Sequence, residues 1–516
     1  MRFWTNSLFA VIHAAAIVAG LSIPAYLLAG ALFGDGTASG KTFLDILPDV
    51  AHWPSLLGNT AAVCGIAAAT AVGLGLILAP LLFRTDLPGR QAAIAILLMA
   101  TCMPMYVTGT ALLSVVGIAR CQNSLIAAGL LYGVVLLAPA TLLIGIGLRG
   151  VDPSCEEAAF LDAGAAKVVR HVSFPMARWS MLVAVLLVVF LAGTDYFLTD
   201  ILQVRTFAEE VYTQYALRGT AQVPIMLSVP LMLALVAMGT TAFVCRPRPV
   251  SHTSTYERQR PGMFLLGRWR SICAMLVTGT LLALGGIPLG SIVRHVGSLG
   301  GFVEGCRAVL PEFVNSVWTC LVAASVCAAL SIGIAWVAVR TRHVGWAARI
   351  FIVGLLAVPA PVVGITLIEM MNRPGLLGAI YDSPVMLIVG HVARFLPLAV
   401  LFMVPAVERV PRELEESARI DGCDSFALHR FVYWPLCFRD LRITWLLVLA
   451  FTFGETACSV LVAPPGWLTL SVRFFTLIHY GIYRDAAVVC ILTVMAIMVP
   501  WFLLTRFERL FQENEA

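Results

Sequence analysis

Long apolar runs alternate with short polar segments along the whole chain. Twelve such runs can be drawn. In the first half they cover about 8–33, 59–83, 92–118, 125–148, 179–202 and 223–245. In the second they cover about 272–294, 315–339, 350–372, 385–407, 442–463 and 486–508. Each approaches or exceeds the roughly 20 apolar residues that a membrane helix needs. They are too long, and alternate too little, for barrel strands. In lipid only a helix or a closed barrel satisfies its own backbone. The pattern therefore predicts an all-α polytopic membrane protein of about twelve transmembrane helices. The run at 8–33 outlasts the apolar core of a signal peptide and reads as an uncleaved span.

The runs repeat. Asn59 opens the second run and Arg84-Thr85 closes it; Asn315 and Arg340-Thr341 do the same for the eighth, at the same interval. Pro104 and Gly109 in the third run match Pro359 and Gly364 in the ninth. Phe190 and Gly193 in the fifth match Phe451 and Gly454 in the eleventh. An even number of runs per repeat gives both copies one orientation, a parallel repeat about the membrane normal. The expected organisation is a first half at 1–245, a basic linker at 246–271, and a second half at 272–516.

Each half carries one polar island after its fourth run. The first, at 156–175, reads EEAAFLDAGAAKVVRHVSFP; the second, at 415–435, reads EESARIDGCDSFALHRFVYWP. In the second, Pro411 suits a first helical turn, and Glu413, Glu415 and Glu416 favour the positive end of a helix dipole. Glu415 and Arg419 stand one turn apart, a favourable pair. Gly422 permits a left-handed turn, Ser425 can cap the next helix, and Pro435 follows it. One such loop alone would be a well-capped solvated loop. Two at matching places indicate paired docking elements.

Composition supports the membrane reading. Of 516 residues, 60% are hydrophobic and only 12% charged, with a mean hydropathy of +0.91; ordinary soluble domains are about 25% charged. The net charge of +5 reflects topology rather than nucleic-acid binding. Most of the 34 Lys and Arg fall in segments that are cytoplasmic if the N-terminus is inside. That puts both termini and the loops at 152–178 and 408–441 in the cytoplasm. Of thirteen cysteines, only Cys121 and Cys306 fall in predicted external loops. Neither a disulfide framework nor zinc-ligand spacing is indicated, and no metal or cofactor is expected.

The second island resembles the EAA loop of ABC importer permeases of type I: Glu415-Glu416-Ser417-Ala418, then Gly422, then Pro435. The first island matches at Glu156-Glu157-Ala158-Ala159 but has Ala163 at the glycine position and Gly164 one later. The resemblance implies that these residues couple the chain to a cytoplasmic ATPase, supplied in two copies. It further implies a periplasmic or extracellular solute-binding protein and a bacterial cytoplasmic (inner) membrane. The stretch 84–90, RTDLPGR, is similar to the ferric-iron-type branch, in which two permease halves are fused; thiamine-type permeases are fused too. Because the first loop lacks the glycine, a lysine at Glu156 is expected to be milder than one at Glu415.

No ATPase is expected in the chain itself. Gly40-Lys41-Thr42 imitates the end of a P-loop, but Asp35 stands where the first glycine belongs. Charges inside membrane spans are functional candidates. Here Asp195, Glu369, Arg394 and Glu455 are candidates for the solute path, with pairing of Arg394 to Glu369 or Glu455 as the structural alternative. Asp200 reads as interfacial and His391 as a packing residue. A secondary transporter also uses repeats and midplane charges, but has no use for duplicated internal Glu loops. A scaffold without transport does not explain the buried charges.

Overall fold

The computed structural model describes residues 53–219, 221–244, 264–341 and 343–514. The predicted span at 8–33, Lys41 and most of the linker lie outside these residues. Among the described residues there is no strand, and helices dominate throughout. Among the described residues seven helices are long and apolar enough to cross a membrane, or ten if three bent pairs each count as one crossing. Ten of the predicted spans coincide with these. The span at 442–463 maps onto Trp434–Phe453 and Ala457–Val462; Arg439, Asp440 and Arg442 lie in the first half of Trp434–Phe453.

Hydropathy gives no direction, and three of the spans are bent pairs. The run at 92–118 is Arg90–Cys102 followed by Met105–Val116, bent by 102°. The run at 350–372 bends by 100° between Leu356 and Ala360. Pro104 and Pro359 stand at the corners with nearly equal backbone angles (φ −56°, ψ 141° and φ −58°, ψ 143°). A proline keeps its predecessor out of the helical region and donates no N–H, so both helices stop there. The pair Leu125–Val135 and Leu137–Arg149 bends by 50°, just before Pro139.

Two further runs break at an acid. Helix Phe174–Thr194 ends at Asp195 and resumes as Phe197–Ile201. Helix Trp434–Phe453 ends at Gly454-Glu455 and resumes as Ala457–Val462. Matching asparagines tie the start of the long helices to the loops that follow these breaks. Asn59 donates to the Arg205 carbonyl and Asn315 to the Leu468 carbonyl, each at 3.1 Å. The sequence repeat is thus also a repeat of bonds.

The chain forms two compact bodies. One holds Ser55–Thr206 and Ala237–Arg294, the other Phe207–Val236 and His295–Ala516. Neither coincides with a sequence half, because each takes in helices from both. In the first body Phe174–Thr194 and Arg90–Cys102 pack on Leu137–Arg149, and Arg270–Leu281 packs on Arg90–Cys102. Gly145 sits so close to the Phe83 ring that a Cβ would lie 2.3 Å from it. That approach seats the end of helix Trp53–Arg84. In the second body Leu310–Arg340, Val385–Arg409 and Trp434–Phe453 pack against one another, and Phe207–Arg218 lies against Ala360–Met371.

Candidate functional site

Each polar island folds as a short helix, a turn, and a longer helix entered through a π-helical turn. In the first, Pro153–Phe160 is followed by Ala165–Val168 and the π turn Val169–Ser173. In the second, Arg412–Ile420 is followed by Ser425–Leu428 and the π turn His429–Tyr433. Such turns are rare and concentrate at functional places. Their repetition at matching positions marks them as part of the design.

The leading glutamates point inward, not outward. Glu156 is 1% exposed and sits 2.8 Å from Nη2 of Arg84, which is wholly buried. Its other oxygen accepts the Ser173 hydroxyl at 2.6 Å. Arg84 also donates to the Val151 carbonyl at 3.2 Å, just ahead of the short helix. The second loop repeats this. Glu415 lies 3.4 Å from Nε of Arg340 and accepts the Tyr433 hydroxyl at 2.8 Å. Arg340 donates to the carbonyls of Val407 and Val410 and, at 3.0 Å, to the Tyr433 oxygen. In each copy the last arginine of a long helix grips the glutamate, and a residue of the π turn completes the grip. The sequence showed Arg84 and Arg340 as repeat markers but not as partners of these glutamates.

The second grip has an extra partner: Arg419 reaches Glu415 at 2.8 Å, the one-turn pair expected from the sequence. Burial alone pushes the Glu415 carboxyl up. The Tyr433 hydroxyl, Arg419 and Arg340 outweigh it and hold the carboxyl below its ordinary value. The stability linked to this group is therefore present above the ordinary carboxylate value of about 4.3. It is lost only as pH falls through the depressed folded value. At neutral pH the grip is not a pH switch.

The turns differ. Gly422 adopts φ +82°, as expected, and ends its helix in a paired-bond turn. Cys423 N–H donates to Ala418 and Gly422 N–H to Arg419. Ala163 has no positive φ, and its N–H simply continues to Ala159. The first loop therefore turns without a left-handed residue. The cap of the second π-entry helix is Asp424, which accepts from Ala427 N–H at 2.7 Å, rather than Ser425. An aspartate one residue earlier leaves Ser425 inside the first turn.

With the glutamates held inside, other residues face outward. Glu157, Ala158, Glu416, Ser417 and Gly164 are exposed, while Ala159 and Ala418 are partly covered. The most exposed apolar side chains of the two loops are Leu161 at 87% and Ile420 at 86%. They occupy the same position of the repeat, at the end of each short helix. Sequence reading passed over them because an apolar residue in an apolar chain carries no signal.

Asp195, Glu455 and Arg394 each have a bonding partner. Asp195 accepts the Tyr132 hydroxyl at 2.6 Å. Glu455 accepts Cys458 N–H at 2.8 Å and lies 3.9 Å from Arg394. Arg394 also donates to the Val358 carbonyl at 2.7 Å, at the Pro359 corner. The pairing of Arg394 is thus with Glu455. Glu369 is half-buried on Ala360–Met371. His391 is buried against the Ser459 hydroxyl at 3.0 Å, a packing role. Cys121 and Cys306 are free thiols.

Repeated broken membrane helices, each repeat presenting one anchored polar loop, define a polytopic all-α membrane transport protein. The chain belongs to the binding-protein-dependent transport system inner membrane components, the permeases of ABC importers. Residues 320–513 match that family's profile. A molybdenum ABC transporter permease of Haloferax volcanii is 31% identical over 224 residues, 42% of this chain and 82% of the relative. A 2-aminoethylphosphonate transport system permease of Salmonella paratyphi A is 26% identical over 223 residues, 39% of this chain and 79% of the relative. A sulfate transport system permease of Anthoceros angustus is 27% identical over 200 residues, 36% of this chain and 69% of the relative. Each of these relatives is matched over most of its own length by less than half of this chain.

Proposed function

We propose that this chain alone forms both halves of the solute pathway of a bacterial importer. Both termini and both polar loops lie in the cytoplasm, and two copies of a cytoplasmic ATPase dock there. A binding protein delivers solute from outside. The observation that carries this reading is the doubled loop: a glutamate gripped from within by an arginine, and a bare apolar tip, Leu161 or Ile420, offered outward. A secondary transporter has no partner for two such tips. Cysteine-accessibility labelling tests the topology. Single cysteines at Ser417 and Ala158, in a chain with its own reactive cysteines replaced, should be shielded from impermeant reagent added outside intact cells. They should become reactive on permeabilisation. Labelling from outside would sink the proposal.

For the cargo we propose a small oxyanion. The relatives named for 2-aminoethylphosphonate, sulfate and molybdenum favour that class; an alpha-glucoside permease of Rhizobium meliloti, 25% identical over 206 residues, is also similar. Ferric iron is the second reading, resting on the resemblance at 84–90, and thiamine rests on the fused halves alone. Competition of these solutes for uptake with the purified binding protein decides between them.

Asp195, Glu369, Arg394 and Glu455 are proposed to line the solute path; Asp195 and Glu455 stand at breaks in their spans, and Arg394 bonds to the Pro359 corner. If Asp195 and Glu455 do so, Asp195→Asn or Glu455→Gln lowers uptake while the amount of assembled complex stays unchanged. If their bonds to Tyr132, Cys458 and Arg394 matter only for packing, folded protein falls instead. Full expression with full uptake refutes both roles.

A further inference from the structure

The last residues of the linker return against the first docking loop. Phe264 N–H donates to the Arg84 carbonyl at 2.8 Å, and Asp86 N–H donates to the Phe264 carbonyl at 3.3 Å. These bonds form a parallel bridge between Thr85 and Phe264. The Asp86 carboxylate accepts Leu266 N–H at 2.9 Å and lies 4.0 Å from Arg270. Phe264 is only 5% exposed, and its ring meets that of Phe160 at 4.9 Å between centroids. The segment thus touches the short helix Pro153–Phe160 at its end. It also holds the backbone of Arg84, whose side chain grips Glu156.

The second loop shows what this contact replaces. Phe160 follows Glu156 by four residues, and Arg419 follows Glu415 by four. Where the second loop closes one turn of helix with the Arg419–Glu415 ion pair, the first has a ring without charge. The first loop also lacks the left-handed glycine turn of the second. Phe264 meets the first loop at the position where that ion pair is missing.

We infer that 264–266 is a positioning strap for the first docking helix, a device that joining the two halves in one chain makes available. It sets the direction in which Leu161 is offered to the ATPase, and so makes Phe264 a positioning residue for coupling. This rests on the reading that Pro153–Phe160 docks an ATPase. The strap acts by holding a helix already formed, so its loss weakens docking without removing the span.

The test uses the full chain assembled with its ATPase and binding protein in proteoliposomes, at equal amounts of assembled complex. Phe264→Ala should raise the ATPase concentration needed for half-maximal assembly by about two- to tenfold, the range for an aromatic pair, and lower uptake per ATP hydrolysed. Phe264→Leu should be intermediate, because it keeps the burial and loses the ring. Phe160→Ala should match Phe264→Ala, and the double variant should be no worse than either, since the pair acts as one unit. A purely structural role would reduce the amount of folded, inserted chain and leave both the ATPase concentration for half-maximal assembly and uptake per ATP unchanged. Ile420→Arg, on the other loop, serves as control. If it abolishes uptake while both Phe264 variants behave as the unmodified chain, the strap is refuted and the docking reading stands. If Ile420→Arg is also silent, the docking reading itself has failed.

Discussion

Replacing Glu156 by lysine is expected to remove most of the folded protein, and to do so more severely than Glu415→Lys. The sequence alone gives the opposite order, because the first loop departs from the family pattern. Burial decides it. Arg84 and Glu156 are both essentially inaccessible, whereas the Arg340–Glu415 pair is partly open and Arg419 is half-exposed. Breaking a buried ion pair by removing one partner costs about 3–5 kcal/mol, because the other charge is left uncompensated. Lysine at 156 does worse, setting a second cation beside Arg84. At 415 the new ammonium can turn toward solvent, and Arg419 can swing away. Glu156→Gln should be milder, since an amide still accepts the Ser173 hydroxyl. The double change Arg84→Met with Glu156→Leu should recover much of the fold, because apolar side chains can replace a buried pair at little cost. Monodisperse yield and thermal inactivation of the purified chain measure this. If Glu156→Lys is as abundant and heat-stable as Glu415→Lys, burial does not set the order.

Much of the fold was legible because the repeat is written in residues that each do one physical job. Asn59 and Asn315 were readable as markers since the same side chain makes the same bond twice. Gly422 was readable because a left-handed turn asks for glycine and little else. The loop glutamates were readable as a site, but their direction was not. A glutamate in a polar segment looks solvated until Arg84 or Arg340, far away in sequence, is brought to it. The right-angle corners at Pro104 and Pro359 were hidden for a different reason. Apolar runs report length, not direction, and proline alone does not distinguish a kink from a corner: Pro397 and Pro405 sit within the continuous helix Val385–Arg409. Phe264 was hidden by its setting, one of three aromatics in a segment that composition marks as a linker.

The largest loss of function without loss of fold is expected at the exposed tips. Ile420 and Leu161 are almost fully exposed, so Ile420→Arg and Leu161→Arg remove no packing and should leave the chain inserted and intact. An apolar anchor buried in a partner's groove is worth about 2 kcal/mol or more. Each single change should therefore weaken ATPase association by roughly thirtyfold or more. Stimulation of ATPase activity by loaded binding protein should fall with it. Gly422 tests the same loop through its backbone. A Cβ at 422 meets no atom within 4 Å, so the cost of substitution lies wholly in its φ of +82°. That cost is about 1–2 kcal/mol for an ordinary residue and greater for a β-branched one. Gly422→Val should hence misdirect Ile420 and reduce uptake sharply, whereas Gly422→Asn, which tolerates this conformation, should retain most of it. Ala163→Gly should change little, because Ala163 is not left-handed. Uptake and ATPase activity in proteoliposomes, at matched amounts of complex, separate these cases. Transport at the unmodified rate by Ile420→Arg, Leu161→Arg and Gly422→Val alike would reduce both loops to well-capped turns with no part in coupling.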